Sequence, residues 1–267
     1  MYFRSIEYNE LRAFYNLNGF IVIKNFLSQR QIKNLRIKIN KKKKIFEKNF
    51  SYFEKIEKKQ KLRRIEKISE QLSDVKKLVN SKKIFGLLKK LTKKNNVLFK
   101  DKLNFKYPGG KGYIPHIDGH FYWRDKNNKI KRGWSIYSNS FTNVVIPLER
   151  TDKDNGCLYL SSKKDLKKLG NNWLEVTKKL DKFTPNIKKK FIKKFKFFPA
   201  ELNVGDILIF DWHCAHKSSN NNSKRSRMIF YATYCSKIKH IKNARKKYYN
   251  DKEFSKNNSL IKSLQFN

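Results

Sequence analysis

The spacing of hydrophobic residues changes near residue 97. Before it, apolar residues recur every three or four positions, as in "ISEQLSDVKKLV" and "IFGLLKKL", which is typical of amphipathic helices. After it, short apolar or alternating stretches such as "VLFKDKLNFKY" and "FTNVVIPLE" are separated by turn residues. The pattern predicts a helical N-terminal part followed by the short strands of a β-sandwich or barrel.

The opening segment is predicted to form a helix, a strand and a second helix. "EYNELRAFYNLNG" has a helical period and Gly19 as a C-terminal stop, and "FIVIKNF" is a short apolar strand. Ser28 is a candidate N-cap for a helix that begins "QRQIKNLRIKI". Residues 41 to 100 are Lys-rich with a helical period, which predicts a supporting helical layer.

The chain is predicted to form one domain over residues 1–267. Residues 1–95 form helical support, residues 97–235 form the β core, and residues 236–267 form a basic tail. Within the core, residues 163–200 are basic and aromatic with helical pieces, and we interpret them as an insertion or lid. No internal repeat and no second core is evident.

Composition is that of a globular protein. The chain has 267 residues, of which 39% are hydrophobic and 14% aromatic, enough to fill the core of one large domain. Cys157, Cys214 and Cys235 are widely spaced and odd in number, which argues against a disulfide framework and favours a reducing compartment. No stretch has the length and apolarity of a membrane span, and the N-terminus lacks the apolar run of a signal peptide. We therefore expect a soluble, cytoplasmic protein.

The formal net charge of +42 raises the question of a nucleic-acid partner. The excess is mostly Lys and is spread along the chain, whereas Arg is better suited to phosphate and base recognition. A solvated, Lys-rich surface is therefore favoured, and nucleic-acid binding is not expected. The positive field would still attract small anions. The sequence carries no signal for an oligomeric state.

The stretch "PHIDGH" contains the strongest candidate chemistry. In an extended strand His116 and Asp118 share one face while Ile117 points to the other, so one segment can offer a metal an imidazole and a carboxylate. A second histidine would complete the triad of non-haem Fe(II) oxygenases, and both His213 and His216 follow a predicted buried strand, "GDILIF". The sequence does not decide whether His120 belongs to the site or is a loop histidine outside it.

Arg227 lies eleven residues after His216, at the start of the predicted strand "RMIFYATY". A buried guanidinium beside such a metal suits a dicarboxylate co-substrate, because it binds a carboxylate through two parallel hydrogen bonds. Ser218 could donate a further hydroxyl hydrogen bond to the same carboxylate.

Together these motifs resemble the phytanoyl-CoA dioxygenase family of Fe(II)/2-oxoglutarate oxygenases. The resemblance covers roughly residues 10 to 250 and includes the opening "NGFIVIKNFLSQRQIKNLR". Its register selects His216 over His213. The residues that match the family pattern are His116 and Asp118; Asn155, Gly156, Cys157 and Leu158; Gly205, Asp206 and Phe210; and His216, Ser218, Asn221, Ser223 and Arg227.

The resemblance implies a double-stranded β-helix (jelly-roll) core with an N-terminal helical layer, mainly β with α. It implies Fe(II) on His116, Asp118 and His216, and 2-oxoglutarate and O2 as co-substrates. The far carboxylate of 2-oxoglutarate would be held by Arg227 and Ser218. Similarity of "LNFKYPGGKGYIPHID" to ectoine hydroxylases adds Lys106 to that site.

The implied function is hydroxylation of a small molecule. "KYPGG" and "RKKYYNDKEF" are similar to the branch that hydroxylates 2-aminoethylphosphonate, and the positive field also favours an anionic substrate such as an organophosphonate. The alternatives are an amino-acid derivative, an osmolyte or an acyl thioester as substrate, or a basic nucleic-acid-binding protein on a vestigial jelly roll. The family's usual "PGSH" is replaced by "SSKK" at residues 161–164, close to the expected pocket.

Overall fold

The computed structural model describes residues 2–3, 8–46, 50–120, 122–125, 127, 129–169, 186–237 and 243–257. Two β-sheets form its centre. The larger has eight strands in the order β1-β2-β12-β9-β14-β5-β4-β3, and the smaller has four in the order β11-β10-β13-β6. Strands β7 and β8 form a separate pair. The strands are β1 Tyr2–Phe3, β2 Phe20–Ile23, β3 Ser51–Ile56, β4 Lys59–Glu66, β5 Asn96–Lys106, β6 Tyr113–His116, β7 Tyr122–Arg124, β8 Ile130–Arg132, β9 Phe141–Pro147, β10 Leu158–Ser161, β11 Phe197–Ala200, β12 Ile207–Asp211, β13 His216–Ser218 and β14 Arg227–Ser236.

Helices cover one face of the larger sheet, and the smaller sheet covers the other. The helices are α1 Tyr8–Asn18, α2 Gln29–Phe46, α3 Ile68–Gln71, α4 Ser73–Val79, α5 Lys82–Thr92, α6 Lys163–Lys167, α7 Lys189–Ile192 and α8 Ala244–Asn257. In β12, Ile209 packs with the N-terminal helices, while the next residue, Phe210, packs against Leu160 of the smaller sheet. This alternation explains why the central strands are apolar on both faces. The predicted jelly-roll with an N-terminal helical layer is confirmed.

The predicted caps of the first two helices are present. Gly19 follows α1 with a φ of +82°, and its N–H donates to the Tyr15 carbonyl at 2.7 Å. The Ser28 hydroxyl accepts from the Gln31 N–H at 3.4 Å, in the first turn of α2. The Gly19 N–H and the Ser28 hydroxyl therefore each bond a backbone group at a helix end, as the sequence predicts.

The helical prediction for residues 41–100 is wrong for residues 51–66, which form the hairpin β3–β4. Strand β4 pairs with β5, with Ile65 opposite Leu103, and thereby extends the larger sheet. The hairpin turn places Glu57 and Lys58 at φ values of 47° and 66°. Two consecutive residues with positive φ are usually Asn-Gly or Asp-Gly, so this turn carries no sequence signal.

Two further boundaries differ from the expectation. Part of the predicted insertion belongs to the core, because β11 pairs with β10 in the smaller sheet. The rest of that segment includes residues 170–185, which lie outside the described residues. In the predicted basic tail, α8 brings Tyr249 into the interior, and residues 258–267 lie outside the described part of the chain. No helix among the described residues is long and apolar enough to cross a membrane.

Candidate metal centre

Three side chains from distant parts of the sequence meet between the two sheets. His116 is the last residue of β6, His216 is the first of β13, and the two are direct partners in the antiparallel pair. Asp118 lies in the turn that follows β6, and its Oδ2 is 3.7 Å from His216 Nε2. One ligand atom from each residue lies within 4.8 Å of the others. Ile117 points away into a separate apolar cluster, as the predicted alternation requires.

The two imidazoles are oriented by backbone carbonyls. His116 Nδ1 donates to the Ile114 carbonyl at 2.7 Å, and His216 Nδ1 donates to the Cys214 carbonyl at 3.1 Å. This tautomer leaves both Nε2 lone pairs available. Burial lowers the pKa of His116 to about 3 and also lowers the pKa of His216. Both rings are therefore neutral at neutral pH, the form that binds a metal.

Asp118 is held by a short hydrogen-bonded chain. Asn143 Nδ2 donates to Asp118 Oδ2 at 3.2 Å, and Thr233 Oγ1 donates to Asn143 Oδ1 at 2.7 Å. Burial by itself would raise the pKa of Asp118, but the His216 imidazole and nearby lysine ammonium groups outweigh it and hold that pKa well below its usual range. The site thus offers two neutral nitrogens and one ionised carboxylate.

The other two candidate histidines lie beside this cluster and are not part of it. His213 Nδ1 is 2.7 Å from Asp211 Oδ1, and its side chain is partly exposed. His120 is buried and stacks on Trp212, with ring centroids 5.2 Å apart. The local spacing of residues did not decide between His213 and His216 as the second histidine of the cluster. The structure places His216 beside His116.

A second cluster of polar groups lies at the start of β14. Arg227 is the Cα partner of Lys106 at the end of β5, and both side chains are buried. Lys106 Nζ donates to Ser218 Oγ at 2.9 Å, to the Gly156 carbonyl at 3.3 Å and to the Ser219 carbonyl at 2.5 Å. Arg227 also donates to the Gly156 carbonyl. Three residues assigned to one subsite by resemblance are therefore neighbours.

Gly156 allows the turn to approach the Arg227 and Lys106 side chains. Its φ is +79°, and a Cβ there would lie 2.6 Å from the Ser219 carbonyl oxygen and 2.9 Å from Lys106 Nζ. Asn155 fixes the turn by donating to the Arg150 carbonyl at 2.8 Å. Burial and the neighbouring Arg227 lower the pKa of Lys106 to about 5. The subsite is a pocket of basic side chains that contains no carboxylate partner of its own among the described residues.

Sequence reasoning missed three polar residues that surround the metal cluster: Asn143, Lys100 and Lys102. Strand pairing puts Lys100 opposite Thr233 and Lys102 opposite Tyr231, on the same face of β5 as Lys106. The polar residues at every second position of "KDKLNFK" were the signal that could have revealed the two lysines.

Two histidines on paired strands and one carboxylate in the adjoining turn, beside a buried Arg–Lys pocket, form the donor set typical of mononuclear non-haem Fe(II) oxygenases. A family model described as phytanoyl-CoA dioxygenase (PhyH) matches residues 15–229. The chain belongs to the phytanoyl-CoA dioxygenase family and is a dioxygenase.

Three curated proteins are similar in sequence. The dioxygenase lolE1 of Epichloe uncinata is 28% identical over 63% of this chain, and the match spans 57% of lolE1. The 2-aminoethylphosphonate dioxygenase of uncultured bacterium HF130_AEPn_1 is 26% identical over 81% of this chain and 77% of its own length. The methylphosphonate hydroxylase of Gimesia maris is 27% identical over 90% of this chain and 85% of its own length.

Solved structures share the fold at low identity. The epimerase SnoN, solved with Fe3+ and alpha ketoglutarate, superposes with a TM-score of 0.66 at 14% identity, over 86% of this chain and 83% of its own. EctD from S. alaskensis gives a TM-score of 0.64 at 14% identity, over 85% of this chain and 76% of its own. These matches bear on the fold alone.

Proposed function

We propose that His116, Asp118 and His216 hold Fe(II) for hydroxylation of a small anionic molecule, an organophosphonate. The protein uses Fe(II), 2-oxoglutarate and O2. The observation that carries the site assignment is the convergence of one ring nitrogen from each histidine and one carboxylate oxygen within 4.8 Å. These donors fit ferrous iron, because two imidazoles and one carboxylate are the protein ligands that non-haem Fe(II) oxygenases use.

Bound Fe(II) supplies the redox centre at which O2, 2-oxoglutarate and a substrate C–H become succinate, CO2 and C–OH. The protein's own residues orient the reactants. The backbone carbonyls behind both imidazoles fix the ring planes, and Asn143 fixes the Asp118 carboxylate. Both imidazoles are already neutral at neutral pH, so a metal can bind there without first displacing a proton from either ring.

Arg227, Lys106 and Ser218 are assigned to the far carboxylate of 2-oxoglutarate. Their donors lie together in a buried pocket, and a carboxylate entering it would replace the Gly156 and Ser219 carbonyls as the acceptor. A charge-assisted hydrogen bond of this kind contributes about 1.5–3 kcal/mol. This pocket supports a dicarboxylate co-substrate.

Two features support an organophosphonate as the substrate. The two relatives matched over most of their length are named for 2-aminoethylphosphonate and methylphosphonate. The face of β5 near Asp118 also carries two lysines in addition to Lys106. An osmolyte without net charge would not need such a face.

The iron assignment is tested by Fe(II) binding and by succinate release with 2-aminoethylphosphonate, methylphosphonate, ectoine and amino acids. We expect a phosphonate to stimulate succinate release and to yield a hydroxylated product. His216→Ala should abolish tight Fe(II) binding, whereas His213→Ala, three residues away and bound to Asp211, should retain it. Equal loss in both variants would contradict the ligand assignment.

The co-substrate assignment is tested separately with Arg227→Ala. We expect weaker 2-oxoglutarate binding by at least about tenfold with Fe(II) still bound, as measured by anaerobic titration. Arg225→Ala is the matched control, because this exposed guanidinium pairs with Asp152 at 2.7 Å and does not enter the pocket. Loss of iron together with 2-oxoglutarate would show that Arg227 has another role.

A further inference from the structure

One face of β5 carries basic or amide side chains at every second position. Pairing with β14 fixes which side chains of β5 share this face. Lys100 lies opposite Thr233, Lys102 opposite Tyr231, Asn104 opposite Ile229 and Lys106 opposite Arg227. The intervening residues Leu103 and Phe105 pack into the core with the helices. The four polar side chains therefore face the space between the sheets, where the metal cluster lies.

Lys100 and Lys102 are held in this space without an acidic partner. In the described part of the chain, neither ammonium group forms a hydrogen bond or an ion pair. Each is placed instead against an aromatic ring: Lys100 Nζ lies 3.8 Å from the Trp134 ring centroid, and Lys102 Nζ lies 5.1 Å from that of Tyr231. Cation–π contacts of this kind position an ammonium group without neutralising it.

The nearby carboxylates are already engaged. Glu66 is the Cα neighbour of Lys102 across β4, but its carboxylate pairs with Lys252 and with Arg64 at 3.5 Å. Asp118 is assigned to the metal. Burial lowers the pKa of Lys102 to about 8 and lowers that of Lys100 well below its usual range, which is the expected cost of two cations without a counter-ion.

The co-substrate cannot supply that counter-ion if it is held at Arg227. On this strand Lys106 is six residues from Lys100 and four from Lys102, which is about 20 Å and about 13 Å between Cα atoms. The carbon chain of 2-oxoglutarate has four C–C bonds and spans about 6 Å at most. A dicarboxylate fixed by Arg227 and Lys106 therefore leaves the other end of this face to a different anion.

We propose that Lys100 and Lys102 form the subsite that binds the oxyanion headgroup of the substrate, and that this headgroup is a phosphonate dianion. Two adjacent ammonium groups match two negative charges, whereas a single carboxylate would leave one of them without a counter-ion. The neighbouring Trp134 and Trp212 are buried and offer an apolar cover for the substrate carbon that is oxidised. This assignment rests on the proposed function, because it places the substrate beside the same metal cluster.

The experiment measures binding and turnover independently. Isothermal titration calorimetry with methylphosphonate, inorganic phosphate and acetate uses the full-length protein loaded with Mn(II) and 2-oxoglutarate, which prevents oxidation. The variants are Lys100→Gln, Lys102→Gln and the charge-conserving Lys100→Arg and Lys102→Arg. Lys59→Gln is the matched control, since it removes one positive charge from an exposed position in the β3–β4 hairpin.

We expect each Gln variant to weaken methylphosphonate binding by at least about tenfold, and the Arg variants to recover part of that loss. Inorganic phosphate should follow methylphosphonate, acetate should bind more weakly than either, and Lys59→Gln should change none of them by more than about twofold. The affinity for 2-oxoglutarate, titrated separately, should change by less than about twofold in every variant.

Three results would overturn the subsite. The first is a wild-type protein that binds 2-oxoglutarate but neither phosphonate nor phosphate. The second is loss of 2-oxoglutarate affinity equal to the loss of phosphonate affinity, which would assign the lysines to the co-substrate. The third is an unchanged phosphonate affinity in both folded Gln variants. Failure of the proposed function is distinct, because it would appear as absent Fe(II) or 2-oxoglutarate binding in the wild type.

Discussion

At the scale of single residues, the orientation of the Asp118 carboxylate depends on the side chains around it. It lies beyond the end of β6, so the strand does not fix its direction. The Asn143 amide and the Thr233 hydroxyl behind it do so instead. Such outer partners hold a ligand in the orientation that the metal needs, and their removal typically costs 10–100-fold in metal affinity.

We therefore predict that Asn143→Ala weakens Fe(II) binding by about 10–100-fold while the protein remains folded. Thr233→Val should give a smaller loss, because the Asn143 amide stays in place but loses the hydrogen bond that orients it. Competition with a metal chelator measures both. An unchanged iron affinity in Asn143→Ala would show that the turn alone positions Asp118.

Lys106 gives a pH-dependent prediction. Burial and Arg227 bring its pKa to about 5 in the protein without co-substrate, so it is mostly neutral at pH 7. A bound carboxylate would raise that pKa, so binding takes up a proton, and 2-oxoglutarate affinity should fall as the pH rises above about 5.

Calorimetry of 2-oxoglutarate binding at pH 7 in buffers of different ionisation enthalpy measures this uptake. Lys106→Met should abolish it. Ser218→Ala should weaken binding but retain the uptake, because it removes a hydroxyl and not the titrating amine. Equal proton uptake in wild type and Lys106→Met would refute the assignment.

At the scale of elements, one buried carboxylate connects the edge hairpin with the last helix. Glu66 at the end of β4 pairs with Lys252 of α8 and with Arg64, and its side chain is buried. Burial by itself would raise the pKa of Glu66, but these two cations outweigh it and lower that pKa from 4.5 to about 2. The pair therefore holds α8 against the sheet that carries Lys100 and Lys102.

A folded-state pKa below the unfolded value means that the stabilisation is fully present above about pH 4.5 and is lost as the pH falls towards 2. Its size is on the order of 3 kcal/mol. We expect Glu66→Gln to lower the free energy of unfolding at pH 7, and the gap to the wild type to narrow by pH 3. Urea titrations at both pH values measure this.

Asp74→Asn is the control for that experiment, since Asp74 pairs with Lys38 at 2.8 Å on the exposed surface, where such pairs contribute little. Its effect should be the smaller one at pH 7. A gap between Glu66→Gln and the wild type that stays constant from pH 7 to pH 3 would contradict the role of the ionised carboxylate.

At the scale of the whole molecule, the net charge of +42 acts on whatever diffuses towards the site. A positive field raises the association rate of anions, and salt screens it over a Debye length of about 10 Å at 0.1 M. Lys100 and Lys102, which have no acidic partner in the described part of the chain, would bind an anion that this field draws to the space between the sheets.

We predict that kcat/KM for methylphosphonate falls as NaCl rises from about 0.05 to 0.5 M, while kcat at saturating substrate changes little. Steady-state succinate release measures both. Sucrose at matched viscosity is the control for slower diffusion. A salt-independent kcat/KM would show that the surface charge has no part in substrate capture.

Most of the fold and the residues assigned to iron could be predicted from the sequence. The two periods of hydrophobic residues gave the helices and central strands, and the motifs around His116, Asp118, His216 and Arg227 indicated the family. Both depend on local spacing, which side-chain direction in a strand or helix converts directly into a face. The β3–β4 hairpin could not be predicted, because its turn residues Glu57 and Lys58 carry no turn signature.

The sequence by itself determined which chemical groups are present and at what spacing. The tertiary structure decided which of them meet: it paired His216 with His116, put Asn143 behind Asp118, and left Lys100 and Lys102 without an acidic partner among the residues that the structure describes. The physical reason is that strand register is set by burial of apolar faces over the whole sheet. Neighbours across strands follow from that register and not from their own local sequence.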